Sequence, residues 1–152
     1  MLSRNYKAVP TLSPTVEFLV VDDDPRVGRF VAAFLENKKH TSVTFTGAAD
    51  TIAWLQNNHC EVAILDVDMP KVDGIALIPL IRDVDPHLPI IMFTGWGYDE
   101  EQMHASLRAG ANAFVSKNLQ GGQLYGVLER VLGTARQKSQ RNTGPAIAVS
   151  SA

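Results

Sequence analysis

Residues 63–70 read Ala63-Ile64-Leu65-Asp66-Val67-Asp68-Met69-Pro70, an apolar run that stops abruptly at a carboxylate. The residues before that carboxylate, Val62 to Leu65, are too few for a helix and carry no polar face. They suit a central strand of a parallel sheet, covered on both sides. In open α/β sheets ligands bind outside the carboxyl ends of the strands, so an Asp66 placed there stands where chemistry occurs. The plain alternative is a turn: Asp opens turns readily, and Met69-Pro70 drives the chain out of a sheet.

Working back toward the N-terminus, Phe18-Leu19-Val20-Val21 is a second short apolar run, and it too stops in carboxylates, Asp22-Asp23-Asp24. Pro25 fits a first helical turn with Asp24 as its N-cap. Val27, Phe30, Val31, Phe34 and Leu35 follow at helical spacing, predicting a helix to about Lys38. Thr41 to Thr46 is β-branched and reads as a strand, and Ala48 to Asn58, carrying Ile52, Trp54 and Leu55, reads as a helix. Working forward, Gly74 to Val84 predicts a third helix, interrupted by Pro79, whose ring should kink it at a cost of roughly 3 kcal/mol. Leu88 to Thr94 is a fourth strand, followed by a Gly95-Trp96-Gly97 loop. Asp99 to Ala109 is a fourth helix closed by Gly110. Asn112 to Ser116 is a fifth strand, and Leu124, Val127, Leu128 and Val131 mark a last helix to roughly Lys138. Alternation of strand and helix at this length implies an α/β fold, a parallel sheet with helices on both faces. Residues 1–15 form a flexible leader in this reading, 16–138 the folded domain, and 139–152 a disordered tail.

The chain has 152 residues, with 45% hydrophobic and 20% charged, which suits one soluble domain with a substantial core. No apolar run is long enough to cross a membrane, and the first residues lack the apolar core of a signal peptide. A single cysteine, Cys60, excludes an internal disulfide and a cysteine-rich metal site. It reads as a small buried thiol at the start of the Asp66 strand. His40, His59, His87 and His104 show no ligand spacing and read as surface or loop residues. The net charge of −2 conceals an asymmetry. Setting aside Arg4, Lys7, Arg136, Lys138 and Arg141 near the ends leaves nine basic residues against sixteen acidic ones. An acidic core argues against nucleic acid as a direct partner.

The strand ends share one theme. The first strand ends in Asp22 and Asp23, the third in Asp66, the fourth in Thr94 and the fifth in Lys117, and a parallel sheet brings all of these to one rim. Three crowded carboxylates call for a hard divalent cation, and magnesium takes one or two carboxylates while keeping positions for water and phosphate oxygens. A hydroxyl and an ammonium beside it are what a phosphoryl group needs. The joint placement reads as phosphoryl transfer with Asp66 as acceptor, although each residue alone has a bland role as strand end, helix cap or solvated lysine. No Gly-rich phosphate fingerprint is present.

Together, Phe18 to Pro25, Ile64 to Pro70 with Asp73-Gly74, Phe93-Thr94-Gly95 and Ala113-Phe114-Val115-Ser116-Lys117 resemble the receiver domain of bacterial two-component response regulators, over about Glu17 to Arg136. The resemblance implies a flavodoxin-like doubly wound sheet of order 2-1-3-4-5. It also implies that Asp66 accepts a phosphoryl group from a histidine kinase or histidine phosphotransfer protein. Asp23, Asp66 and the Val67 carbonyl would bind Mg2+, with Asp22 acting through water. Lys117 and Thr94 would hold the phosphate, and Phe114 would turn inward as Thr94 moves. That motion repacks the surface of the fourth helix, fifth strand and fifth helix, on which a downstream target protein docks. Such a domain works in the cytoplasm as a signalling switch rather than a turnover enzyme. Trp96, Tyr98, His104 and Tyr125 are candidate contributors to the docking face.

This chain departs from the family at Asn118, where proline usually follows the site lysine. Asp68 and Trp96 occupy the positions, two after the acceptor and two after the threonine, that tune loss of the phosphoryl group in similar proteins. After the last helix too few residues remain for an output module, so the expectation is a chain acting by binding, or a receiver cut from a longer protein. Two other readings stand beside this one. Asp66-Val67-Asp68 also resembles the nucleophile motif of haloacid-dehalogenase-type phosphatases, but Pro70 departs from that motif and Asp22-Asp23 find no place in it. A receiver-like module that signals without phosphate is the other, encouraged by Asn118 and Pro79.

Overall fold

The computed structural model describes residues 15–95, 99–117 and 121–143. It alternates β1 (Val16–Val21), α1 (Pro25–Asn37), β2 (Ser42–Phe45), α2 (Ala48–Leu55), β3 (Cys60–Asp66), α3 (Gly74–Val84), β4 (Ile90–Thr94), α4 (Glu100–Ala109), β5 (Ala113–Ser116) and α5 (Gly121–Thr143). The strands form one parallel sheet of order β2-β1-β3-β4-β5. This is the doubly wound order expected from the sequence, with β1 and β3 side by side at the centre.

The two-residue period of the strands divides the core into two layers. Leu19, Val21, Ala63, Leu65, Ile90 and Met92 point to one face and meet Leu55 of α2 and Leu77, Ile78 and Ile81 of α3. Phe18, Val20, Val62, Ile64, Ile91, Phe93 and Val115 point to the other and meet Val31 and Leu35 of α1 and Leu124, Leu128 and Leu132 of α5. The apolar runs that identified β1 and β3 are unbroken because both faces of these strands are covered.

Three helices begin with a carboxylate cap. Asp24 accepts from the Arg26 N–H, Asp73 from Ala76 and Asp99 from Gln102. α4 ends at Gly110 with φ of 115°, the left-handed conformation that glycine adopts without strain. Helix α2 is shorter than expected, stopping at Leu55, and the Asn58 side chain donates to the Trp54 carbonyl beyond it. Helix α3 runs through Pro79, which lies on its exposed side.

Helix α5 is longer than expected. It continues to Thr143, so residues 139–143, assigned from the sequence to a disordered tail, are helical. The reason is local: Ala135 to Arg141 are mostly good helix formers, and the first breakers are Gly144 and Pro145. Residues 1–14 and 144–152, which include the rest of the expected leader and tail, lie outside the described residues.

His40 also departs from its reading as a surface residue. Its Nδ1 lies 2.7 Å from Glu17 Oε2, its ring meets Phe18 edge-on at 5.4 Å, and its side chain is only 14% exposed. Glu17 in turn accepts from Arg136 at 2.8 Å, and Arg136 also pairs with Glu61 at 3.0 Å. Arg136, grouped in the sequence with a basic tail, thus ties α5 to the amino-terminal ends of β1 and β3. Burial works against the Glu17 carboxylate, but the His40 hydrogen bond, the Thr41 N–H and the nearby cations outweigh it and hold its pKa below the usual value.

Candidate functional site

Each central strand delivers its terminal residue to the carboxyl rim of the sheet. β1 ends just before Asp22 and β3 ends at Asp66, and their register pairs Val21 with Leu65. The two carboxylates are therefore neighbours. Asp22, Asp23 and Asp66 each offer an oxygen, and these atoms all lie within 4.8 Å of one another. Asp22 and Asp66 are buried, 3% and 4% exposed, while Asp23 faces solvent. Hard oxygen donors, two buried and one open to water, fit a magnesium-sized cation that keeps part of its hydration shell.

Thr94 ends β4 beside Ser116 of β5, and its backbone carbonyl accepts from the Lys117 N–H at 2.6 Å. That bond carries Lys117 over the acidic pair. Its Nζ is 2.7 Å from Asp22 Oδ2 and 3.1 Å from Asp66 Oδ1. The same ammonium lies 5.7 Å from the centre of the Phe93 ring, within cation–π range. Nothing local to Phe93 signals this contact, because Phe93 reads simply as a core residue of an apolar strand.

Burial, then the adjacent Asp22 charge, pushes the Asp66 carboxyl up to about 7, against the opposing pull of Lys117. Burial alone would lower the Lys117 ammonium. The hydrogen bond and charge of Asp22, with Asp66 behind them, reverse that and raise it.

The loop after β3 is held by Gly74. Its N–H donates to the Val67 carbonyl at 3.0 Å, and a Cβ there would come within 1.9 Å of the Asp66 carbonyl oxygen. Only glycine allows α3 to start this close to the strand end. Val67 is buried, whereas Asp68 is exposed, and its N–H approaches Asp66 Oδ1 at 3.4 Å. Thr94 is fully buried, and Phe114 is partly buried against the α2–α3 side of the core.

Of the residues singled out in the sequence, Asp22, Asp23, Asp66, Val67, Thr94 and Lys117 converge on this rim. Asp68 lies at its edge, and Phe114 lies two residue pairs before the Thr94–Ser116 pair, opposite Met92. Trp96, Tyr98 and Asn118 lie outside the described residues. Tyr125 is turned toward α1, with its ring 6.3 Å from Phe34 and the Lys38 ammonium 4.9 Å above it. His104 is exposed on α4, 3.5 Å from Glu100. The arrangement can bind a divalent cation, present a carboxylate nucleophile beside it and neutralise an incoming dianion with a lysine.

A profile of the family described as response regulator receiver domain matches residues 18–129. The heme response regulator HssR of Staphylococcus epidermidis is 30% identical over 117 residues, which cover 77% of this chain and 51% of that protein. The chain thus spans about half the length of this relative. Among solved structures, the receiver domain of NtrX from Brucella abortus superimposes with a TM-score of 0.72 at 31% identity, covering 78% of this chain and 99% of the other. A CheY-like receiver domain protein of Methanospirillum hungatei gives a TM-score of 0.75 at 24% identity, over 82% and 98% of the two chains, a likeness of fold.

Proposed function

Since the chain belongs to the response regulator receiver family of two-component signalling, we propose that Asp66 is its phosphoryl acceptor, charged by the phosphohistidine of a histidine kinase or histidine phosphotransfer protein. The observation that carries this reading is the convergence of Asp22, Asp23, Asp66 and Lys117 on one rim. In this reading Mg2+ is held by Asp23, Asp66 and the Val67 carbonyl, with Asp22 reached through water. When bound, the cation supplies neutralisation of charge on the transferring phosphoryl oxygens.

An ionised Asp66 Oδ attacks phosphorus as the P–N bond to the donor imidazole breaks, and the imidazole leaves with the bonding pair. Lys117 is drawn from Asp22 and Asp66 to the new phosphate, and the Thr94 hydroxyl donates to another of its oxygens. Movement of Thr94 and inward rotation of Phe114 then change the surface of α4, β5 and α5, the face offered to a downstream protein. The energy available is that of a few charge-assisted hydrogen bonds, enough to bias a two-state element. The domain acts as a cytoplasmic switch in this account, with each phosphoryl group stored and lost rather than turned over.

Asp68, exposed beside the acceptor, and Trp96 tune hydrolysis of the acyl phosphate. A combined Asp68→Asn and Trp96→Ala substitution should change the dephosphorylation rate, and an unchanged rate would remove them from the account. The transfer itself is tested with a radiolabelled histidine phosphotransfer protein as donor. Label should move to this chain with magnesium present and fail to move to the Asp66→Asn variant. Label on the variant would place the acceptor at another residue, and none on either protein with several donors would favour a module that signals without phosphate.

A further inference from the structure

At the opposite end of the sheet, a groove of about 1080 Å3 runs along α5 beneath the amino-terminal ends of β3 and β4. Its size is just above the usual range of small-molecule sites. Four cations line it, Arg82, Arg130, Arg136 and Lys138, against two carboxylates, Glu61 and Asp85. The remainder of residues 15–143 has the reverse balance, eight cations to fourteen carboxylates. A third of the domain's lysines and arginines thus gather at one concavity of an otherwise acidic molecule.

These cations are not equivalent. Arg82 is fixed by donating to the Leu88 and Gly110 carbonyls, and Arg136 is paired with Glu17 and Glu61. Arg130 and Lys138 are exposed and have no ion-pair partner among the described residues. They stand eight positions apart on α5, about 12 Å along the helix. Between them the buried Leu88 and the half-buried Val131 and Ala135 give the groove an apolar lining.

We propose that this groove binds a small ligand carrying several phosphate groups, a polyphosphate or a nucleoside polyphosphate. Arg130 and Lys138 engage its anionic chain, Arg82 and Arg136 set the surrounding field, and the apolar lining receives a ring where one is present. The cations suit oxyanions of high charge density, and the concave shape suits a compact ligand. The site is independent of Asp66, which lies at the other end of the strands.

The test is a magnesium-free titration of the 15N-labelled chain with inorganic tripolyphosphate, ATP and adenosine, followed by amide shifts. Tripolyphosphate and ATP should shift the Glu61, His87, Leu88 and Arg130–Lys138 amides saturably, and equally in Asp66→Asn. Equal affinity assigns recognition to phosphates alone, and tighter ATP assigns a role to the ring. The Arg130→Glu, Lys138→Glu double variant should weaken binding at least about tenfold while its Tm stays unchanged, both side chains being exposed. The proposal is overturned if no groove amide responds, if the double variant binds as tightly, if adenosine alone binds as well as ATP, or if shifts appear only around Asp22, Asp66 and Lys117.

Discussion

Lys117 Nζ lies closer to Asp22, at 2.7 Å, than to Asp66, at 3.1 Å. The lysine therefore bridges the carboxylates in the resting protein and offsets the repulsion that a bound cation would otherwise relieve. Replacing Asp22 with Asn removes this anchor and, on the proposed cation site, a water-bridged ligand as well. Magnesium affinity measured calorimetrically should fall about 10- to 100-fold, and phosphoryl uptake at limiting magnesium should fall with it. Unchanged affinity would exclude Asp22 from the cation site.

The raised Asp66 carboxyl makes stability depend on pH in a definite direction. Its ordinary value is 3.8 and its folded value about 7, so the fold favours the protonated form. Its contribution is complete below about pH 4 and is lost as the pH rises through 7. Without magnesium, Asp66→Asn should be more stable than the parent at pH 8, by roughly 1–3 kcal/mol, and the difference should shrink toward pH 4. Urea unfolding at the two pH values measures it, and a difference independent of pH would contradict the assignment.

Gly74 has no room for a side chain. The Cβ of Gly74→Ala would stand 1.9 Å from the Asp66 carbonyl oxygen, a clash with backbone that no rotamer relieves. The variant should lose at least about 2 kcal/mol in chemical denaturation and take up phosphate more slowly, because relief of the clash displaces the acceptor strand.

Phe93→Leu keeps an apolar residue in the core and removes the ring beneath the Lys117 ammonium. A cation–π contact of about 0.5–1 kcal/mol corresponds to a two- to fivefold slower phosphorylation by an acyl phosphate. Phe93→Tyr should retain the rate. Equal rates for Leu and Phe would show that the carboxylates alone position the lysine.

His40→Ala removes the ring contact with Phe18 and the bond to Glu17, and should cost about 1–2 kcal/mol, read as a lower urea midpoint. Phosphoryl uptake should be unaffected, since His40 is at the other end of β1.

The strands and the site were legible for one reason. Buried parallel strands must be continuously apolar, so each carboxylate that interrupts them marks a strand end, and topology brings the ends together. Asp22, Asp23, Asp66, Thr94 and Lys117 could therefore be placed from Val21, Leu65, Phe93 and Ser116 alone. Side chains whose partners are distant in sequence could not. Glu17, His40, Glu61 and Arg136 form one network across 119 positions, and nothing local to His40 or Arg136 announces it. The same holds for Phe93 under Lys117, an ordinary core residue until the β4–β5 register brings the lysine over it. The end of α5 is not legible in the same way, because the apolar periodicity stops with the core while helix propensity carries the backbone on to Thr143.

The central claim is that Asp66 accepts the phosphoryl group, and intact-protein mass after incubation with magnesium and a small acyl-phosphate donor tests it directly. The account predicts one added phosphoryl group on this chain and none on Asp66→Asn. Addition to both proteins would place the acceptor elsewhere. No addition to either, with magnesium in excess and rapid sampling, would mean that the rim assembled by Asp22, Asp23, Asp66 and Lys117 does not carry out the chemistry assigned to it.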